Sequence, residues 1–204
     1  MSKKIKNIIF DLGNVLVGFD PVRSIGELGF SEEAIEVFKE KIFSGLWESF
    51  DKRQEEEVYI RNLFKSIVPG YEAEVDKIWD NVDVLIPMLD YSTEWVKSLK
   101  ERGYRIYILS NFGNCSFANA SPTYDFLPYT DGRLISYEIL HLKPEPEMYE
   151  TLIARYDLDP AACVFIDDRA DNIEAAEKFG ITGIVFENYE QAKADLEKVL
   201  ETEK

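Results

Sequence analysis

The chain has 204 residues, 46% apolar and 13% aromatic, with 11 Gly and 8 Pro spread along it, so disorder and low complexity are excluded. One compact domain, or a core with a modest second lobe, fits that length. Lys and Arg number 23 against 39 Asp and Glu, a formal charge of −16, which makes nucleic acid and anionic membrane surfaces poor partners and obliges any small anionic substrate to find cations locally.

The first strand is NIIF, and the oddity follows it at once: Asp11 places a carboxylate where the apolar run should turn, then Leu-Gly-Asn reads as loop. From about Phe19 to Pro87 there is no convincing strand. Ile35, Phe38 and Ile42 follow a helix cap at Ser31; Ile60, Leu63, Phe64 and Ile67 precede Pro69-Gly70; Tyr71, Val75, Ile78 and Trp79 come next. An interval of that length cannot be a loop, so residues 19–87 are expected to form a helical lobe, with residues 1–18 and 88–204 as the core.

After it, a helix through Trp95, Val96 and Leu99 stops at Gly103, and YRIYILS is a second strand. A helix through Met148, Leu152, Ile153 and Tyr156 leads to the strand ACVFID, and one through Ile173, Ala176 and Phe179 stops at Gly180 before TGIVF. From Tyr189, Ala192, Leu196, Val199 and Leu200 mark a last amphipathic helix expected to fray at its charged end. Strands alternating with helices give an α/β fold with a parallel sheet.

Cys115 and Cys163 are the only cysteines and are far apart in sequence, so no disulfide framework or zinc site is expected and a reducing compartment is the default. The start MSKKIKNIIF resembles the charged region of a signal peptide, but Asp11 interrupts the apolar run and no small-residue cleavage site follows. No run is long enough to span a bilayer, and a cytoplasmic protein is expected, monomeric or homodimeric.

Open α/β sheets bind ligands at the carboxyl ends of their strands. Those ends carry Asp11, Ser110-Asn111 and Asp167-Asp168, with Lys143 in LKPEPEMY upstream of the intervening helix. Carboxylates at 4 Å repel by about 4 kcal/mol per pair at an effective dielectric near 20, so a hard cation should join them. An Mg²⁺ site from Asp11, Asp168 and the Gly13 carbonyl is reasonable. Ser110, Asn111 and Lys143 are phosphate ligands by type, and a carboxylate such as Asp11 can attack phosphorus to form an aspartyl-phosphate that water hydrolyses.

In order, FDLGNV, LSN, LKP and FIDDRADN resemble the haloacid dehalogenase-like hydrolase superfamily over nearly the whole chain. The resemblance implies a Rossmann-like α/β/α core with an inserted α-helical cap, and Mg²⁺ as cofactor. It implies Asp11 as nucleophile and metal ligand, Ser110 as the phosphate-binding hydroxyl, Lys143 as the lysine of the third motif, and Asp167 and Asp168 as metal-site acids. Within the superfamily the motifs look most like the sugar-phosphatase branch that includes α-glucose-1-phosphate phosphatase, so a small phosphorylated metabolite, such as a hexose 1-phosphate, is the expected substrate.

One departure matters: family phosphatases usually carry a second Asp two residues after the nucleophile, as the acid for the leaving oxygen, and this chain has Gly13. An acidic anomeric leaving group would need less help, or Asp20 could return from the lobe as the acid, although an Asp before Pro21 reads first as a turn or helix cap. Two rivals follow: a non-catalytic phosphometabolite- or protein-binding module that lost turnover with that Asp, and a metal-independent haloacid dehalogenase.

Other residues have plainer readings. Asp171 reads as a helix cap with Glu174 at the third helical position, Arg169 as the partner of a nearby acid, and Glu55 to Glu57 as a solvated face. His141 is assigned nothing. Trp47 reads as core, with the face of a sugar pocket as its alternative.

Overall fold

The computed structural model describes residues 4–201; the charged end of the last helix, residues 202–204, where fraying is expected, lies outside them. Five parallel strands form one sheet: β1 (Asn7–Phe10), β2 (Arg105–Ser110), β3 (Gly132–Ile135), β4 (Cys163–Asp167) and β5 (Thr182–Val185), in the order β3-β2-β1-β4-β5. Parallel strands covered on both faces need continuous apolar runs, which is what NIIF, IYIL and CVFI supply.

Between β1 and β2 the chain forms α1 (Pro21–Glu27), α2 (Glu32–Lys41), α3 (Glu57–Ile67), α4 (Glu72–Trp79), the single turn α5 (Val82–Leu85) and α6 (Ser92–Glu101). Then come α7 (Asn114–Ala120), α8 (Pro146–Tyr156), α9 (Ala170–Glu177) and α10 (Tyr189–Glu201). Ser31 caps α2 as its sequence position requires, its Oγ accepting from the Ala34 amide at 3.2 Å. Gly103 and Gly180 follow α6 and α9 with φ of +91° and +87°, the left-handed conformation that ends a helix most readily without a Cβ.

The edge strand β3 is short and its sequence GRLI does not alternate, so periodicity alone misses it. What makes it a strand is pairing: Tyr107 to Ser110 run alongside Gly132 to Ile135. Gly132 is required there because a Cβ would come within 2.3 Å of the Tyr156 ring.

One face of the sheet packs Ile9, Tyr107, Leu109 and Phe165 under α8 and α9; the other carries a larger cluster running from Phe10 and Trp95 into the insertion. Phe10 and Trp95 meet edge to face at 4.9 Å. The chain leaves and re-enters the core side by side, the Gly18 amide donating to the Pro87 carbonyl at 2.8 Å and the Leu89 amide to the Leu16 carbonyl at 3.1 Å. From the stretch between those two crossings, Phe19, Trp47, Glu48, Asp51 and Ile86 line a cavity that Asp11, at the carboxyl end of β1, also lines.

Candidate active site

β1 is the central strand, and the chain first builds outward through β2 to β3 before crossing back to β4 and β5 on the other side. That reversal opens a crevice beyond the ends of β1 and β4. Asp11 sits there: its amide still donates to the Ile166 carbonyl at 2.9 Å, while the next residues curl so tightly that the Leu12 carbonyl accepts from the amides of Val15, Leu16 and Val17.

Lys143 Nζ is buried between two acids, 2.8 Å from Asp11 Oδ1 and 2.6 Å from Asp167 Oδ2. Asn111 holds the lysine in place, its Oδ1 accepting from the Lys143 amide at 2.8 Å and its Nδ2 donating to the Lys143 carbonyl at 3.0 Å. Asp167 is fully enclosed. Its Oδ1 accepts from the Arg169 amide and Asn172 Nδ2, each at 2.9 Å, and its Oδ2 takes a 3.0 Å bond from Asn172 besides the lysine.

Burial is the largest influence on Asp11 and, with the Asp167 charge, pushes its pKa up to about 6 against the opposing pull of Lys143. For Lys143 burial acts downward, but the carboxylates of Asp11 and Asp167 outweigh it and raise the pKa, so the ammonium persists at neutral pH. Ser110 Oγ is buried with no partner in hydrogen-bond geometry, though the hydroxyl lies near enough to Asp11 to favour its ionised form.

Asp168 is half-buried, with Oδ2 accepting from Asn14 Nδ2 at 3.0 Å. Asp11, Asp167 and Asp168 each offer a carboxylate oxygen within 4.8 Å of the others. Three carboxylates against one ammonium leave an excess of negative charge on a set of hard oxygen donors. That fits Mg²⁺, which takes few protein ligands and keeps positions open for water or substrate. The cavity above has a volume of about 420 Å³; its floor includes Asp11, Gly13, Asn111, Lys143 and Asp168, and its other wall Phe19, Trp47 and Ile86 from the insertion.

Residues 5–180 match the family model for the haloacid dehalogenase-like hydrolases. The chain belongs to that family. It is 27% identical, over 96% of its length and 98% of the relative's, to the D-ribitol-5-phosphate phosphatase of Bacteroides thetaiotaomicron. It is 24% identical, over 90% of its length and 91% of the relative's, to a sesquiterpene phosphatase of Aspergillus oryzae. Among solved structures, a haloacid dehalogenase family enzyme of B. thetaiotaomicron in complex with magnesium and inorganic phosphate superposes with a TM-score of 0.70 at 25% identity, covering 92% of this chain and 98% of that one.

Against the family pattern, Gly13 leaves open space: a Cβ built there would meet nothing within 4 Å. Asp20 does not fill it. It caps α1, accepting from the Arg23 amide at 3.1 Å, and points into solvent. Asp171 is not the cap of α9; Arg169 holds that position, and Asp171 in the first turn pairs with the Arg169 guanidinium at 2.7 Å. The helix starts two residues before the position that an Asp171 cap implies. Arg169 is thus paired with an acid, as expected.

Trp47 takes both of its readings. It is buried, stacks on Trp79 at 5.5 Å, and also lines the cavity. The run Glu55 to Glu57 is less solvated than expected, because Glu57 pairs with Arg61 at 2.7 Å and accepts from Asn119 Nδ2 at 2.7 Å. His141 bonds Glu145 at 2.7 Å, away from the crevice floor.

Sequence reasoning passed over Asp51 altogether. It lines the cavity at the end of a single 3₁₀ turn, Glu48–Phe50. It carries no motif; the only local signal is an acid in the aromatic stretch SGLWESFD, where a carboxyl beside buried rings is costly unless it has a task.

Proposed function

We propose that this Mg²⁺-dependent phosphoric monoester hydrolase acts on a small phosphorylated sugar or polyol, with Asp11 attacking phosphorus. The observation that carries the reading is the buried Asp11–Lys143–Asp167 chain, 2.8 and 2.6 Å between charged atoms, at the floor of a cavity sized for one small ligand. The full-length likeness to a ribitol-5-phosphate phosphatase supports a polyol or sugar phosphate, and the branch resemblance of FDLGNV, LSN and IDDR keeps a hexose 1-phosphate among the substrates to test.

In this reading Asp11, Asp168 and the Gly13 carbonyl hold Mg²⁺, with Asp167 completing the acidic wall. The bound cation would offset the repulsion between Asp11 and an incoming phosphate and stabilise charge on the transferring group. Asp11 Oδ attacks phosphorus and becomes the aspartyl-phosphate, which water then hydrolyses. Lys143 stays charged and meets the phosphate from below. Ser110 Oγ, buried and unpartnered, gains its hydrogen bond from a phosphoryl oxygen. Asn111 acts chiefly on Lys143, since both ends of its amide are engaged by that residue's main chain.

The test is a screen of phosphate esters and 2-haloacids with Mg²⁺ titrated from zero, and acid-quench trapping of phosphoprotein. Ester turnover that needs Mg²⁺, with label on Asp11, is expected. Halide release without metal, or no turnover of any ester at any Mg²⁺ concentration, would replace this reading with one of its two rivals.

A further inference from the structure

The family's phosphatases put their proton carrier two residues beyond the nucleophile, and this chain has only Gly13 and open space there. A leaving alkoxide is too basic to depart unaided, so a substrate with an alcohol leaving group requires an acid elsewhere in the cavity. Resting on the phosphatase reading above, we propose that Asp51, from the inserted lobe, is that residue: general acid to the leaving oxygen, then general base to the attacking water.

Three observations place it. Asp51 lines the same cavity as Asp11, Lys143 and Asp168, on the opposite wall. Its own carbonyl accepts from Ser136 Oγ, which in turn accepts from the Phe112 amide at 2.9 Å, and the Gly113 amide lies near enough to its carboxylate to favour the ionised form. The residues after it are tied to the same core loops, Gln54 Nε2 donating to the Tyr137 carbonyl at 2.8 Å and Asn114 Nδ2 to the Glu55 carbonyl at 2.9 Å. Asp51 therefore belongs to the insertion in sequence and to the core in position. It is held at the loop that follows β2, beside the cavity that Asn111 of the same loop also lines.

Its surroundings suit both roles. Burial first, and then the charge of Glu48, push its pKa up to about 7; the Gly113 amide opposes them and the Asp11 charge adds to them. The charged groups around it are Glu48 from its own turn, Asp11 after β1, Lys143 from the segment before α8, and Asp168 and Arg169 after β4. A carboxyl near 7 is populated in both forms at neutral pH, as a group that gives and then takes a proton must be.

The proton balance closes. Asp11 Oδ forms a bond to phosphorus while the bond from phosphorus to the ester oxygen breaks; that oxygen takes the electron pair and the Asp51 proton, and the alcohol leaves. Water then attacks phosphorus and gives a proton to Asp51, the bond from phosphorus to Asp11 breaks, and inorganic phosphate departs with both carboxyls restored.

The experiment compares wild type with Asp51→Asn, which keeps an acceptor oxygen near the Gly113 amide, on two esters in Mg²⁺. One is p-nitrophenyl phosphate, whose leaving group needs no proton; the other is the best-hydrolysed of ribitol 5-phosphate, glucose 6-phosphate and glycerol 3-phosphate. With the alkyl ester, kcat/KM should fall by roughly 10²- to 10⁴-fold. With p-nitrophenyl phosphate a burst of p-nitrophenolate, one per enzyme and close to the wild-type rate, should precede slow turnover. Equal losses of the first step on both esters, or no loss on either, overturn the assignment while leaving the phosphatase reading intact. Wild-type silence on every ester removes that reading, and this one with it.

Discussion

The two walls of the cavity are built on opposite principles. The floor is a closed charge network: Lys143 is wholly enclosed, Asp167 has a donor on every side, and Asn111 holds the lysine backbone at both ends. The facing wall is apolar, Phe19, Trp47 and Ile86, with Trp47 backed by Trp79 and by Phe64 about 6 Å from both indoles, and it carries the acids Glu48 and Asp51. In a charge network a lost member weakens the pairing of its buried neighbours, most of all when the shared cation Lys143 is the one removed. An aromatic wall tolerates reshaping at the cost of packing alone. Chemistry is therefore expected to be set by the floor, and the choice of leaving group by the wall.

The largest test of that division is Asp11→Asn. Turnover should fall by about 10⁴-fold or more on every ester, since the proposed nucleophile is lost and residual rate comes from binding alone. The fold should survive, because Lys143 keeps Asp167 as a partner at 2.6 Å. Steady-state phosphate release beside a urea denaturation curve measures both, and a substrate-selective loss would move Asp11 out of the common machinery.

Lys143→Met comes next. It leaves Asp11 and Asp167 buried without their shared cation, for an expected loss of about 3–5 kcal/mol of stability, as for other broken buried ion pairs. Added Mg²⁺ should recover part of it by supplying a replacement charge, so denaturation midpoints with and without the metal should move apart further than in wild type. Midpoints that ignore Mg²⁺ would show that the acids do not share a cation.

The same contrast explains what could be read before any coordinates. Asp11, Ser110, Lys143 and Asp167-Asp168 were visible because each follows an apolar strand or precedes a helix at a place where a charge has no packing reason to be. Although only Ile184 of Thr182–Val185 is buried, β5 was legible as the β-branched run TGIVF after the helix stop at Gly180, and β1, β2 and β4 were legible as apolar runs. β3 was not, because an edge strand of GRLI owes its form to pairing with β2 rather than to its own pattern. Asp51 was hidden for a related cause. Its placement comes from Ser136, Gly113 and the segment around Gln54, residues separated by up to 85 positions, and no spacing rule spans them. Asp171 reads as a cap in sequence, but the helix starts two residues earlier, with Arg169 at the cap position and Asp171 paired to its guanidinium.

The wall is tested by Trp47→Ala. Removing an indole stacked on Trp79 should cost about 3 kcal/mol, the low end for Trp truncation, since one side of the ring already faces the cavity. KM for a polyol phosphate should rise several-fold while kcat for p-nitrophenyl phosphate holds. If kcat falls for both esters, the wall takes part in the chemistry and the contrast drawn above is too sharp.

The smallest effect bears on Asp51, which stands on the wall but is held by the floor. Its pKa is pushed up to about 7 in the folded protein from the ordinary aspartate value of 3.8, so the folded state binds the extra proton between those two values. Stability attached to this group is therefore fully present below about pH 4 and is lost as pH rises through 7. The full shift corresponds to roughly 4 kcal/mol, and solvent contact on a half-buried carboxyl cuts that to about 2 kcal/mol. Asn does not titrate, so Asp51→Asn should gain about 2 kcal/mol over wild type between pH 4 and pH 8, read from metal-free urea denaturation at both values. A variant that costs activity and adds stability only where the carboxyl is ionised is what a strained catalytic acid predicts. A difference that stays flat with pH would mean Asp51 is already ionised at pH 5, and a group with no proton at neutral pH cannot donate one.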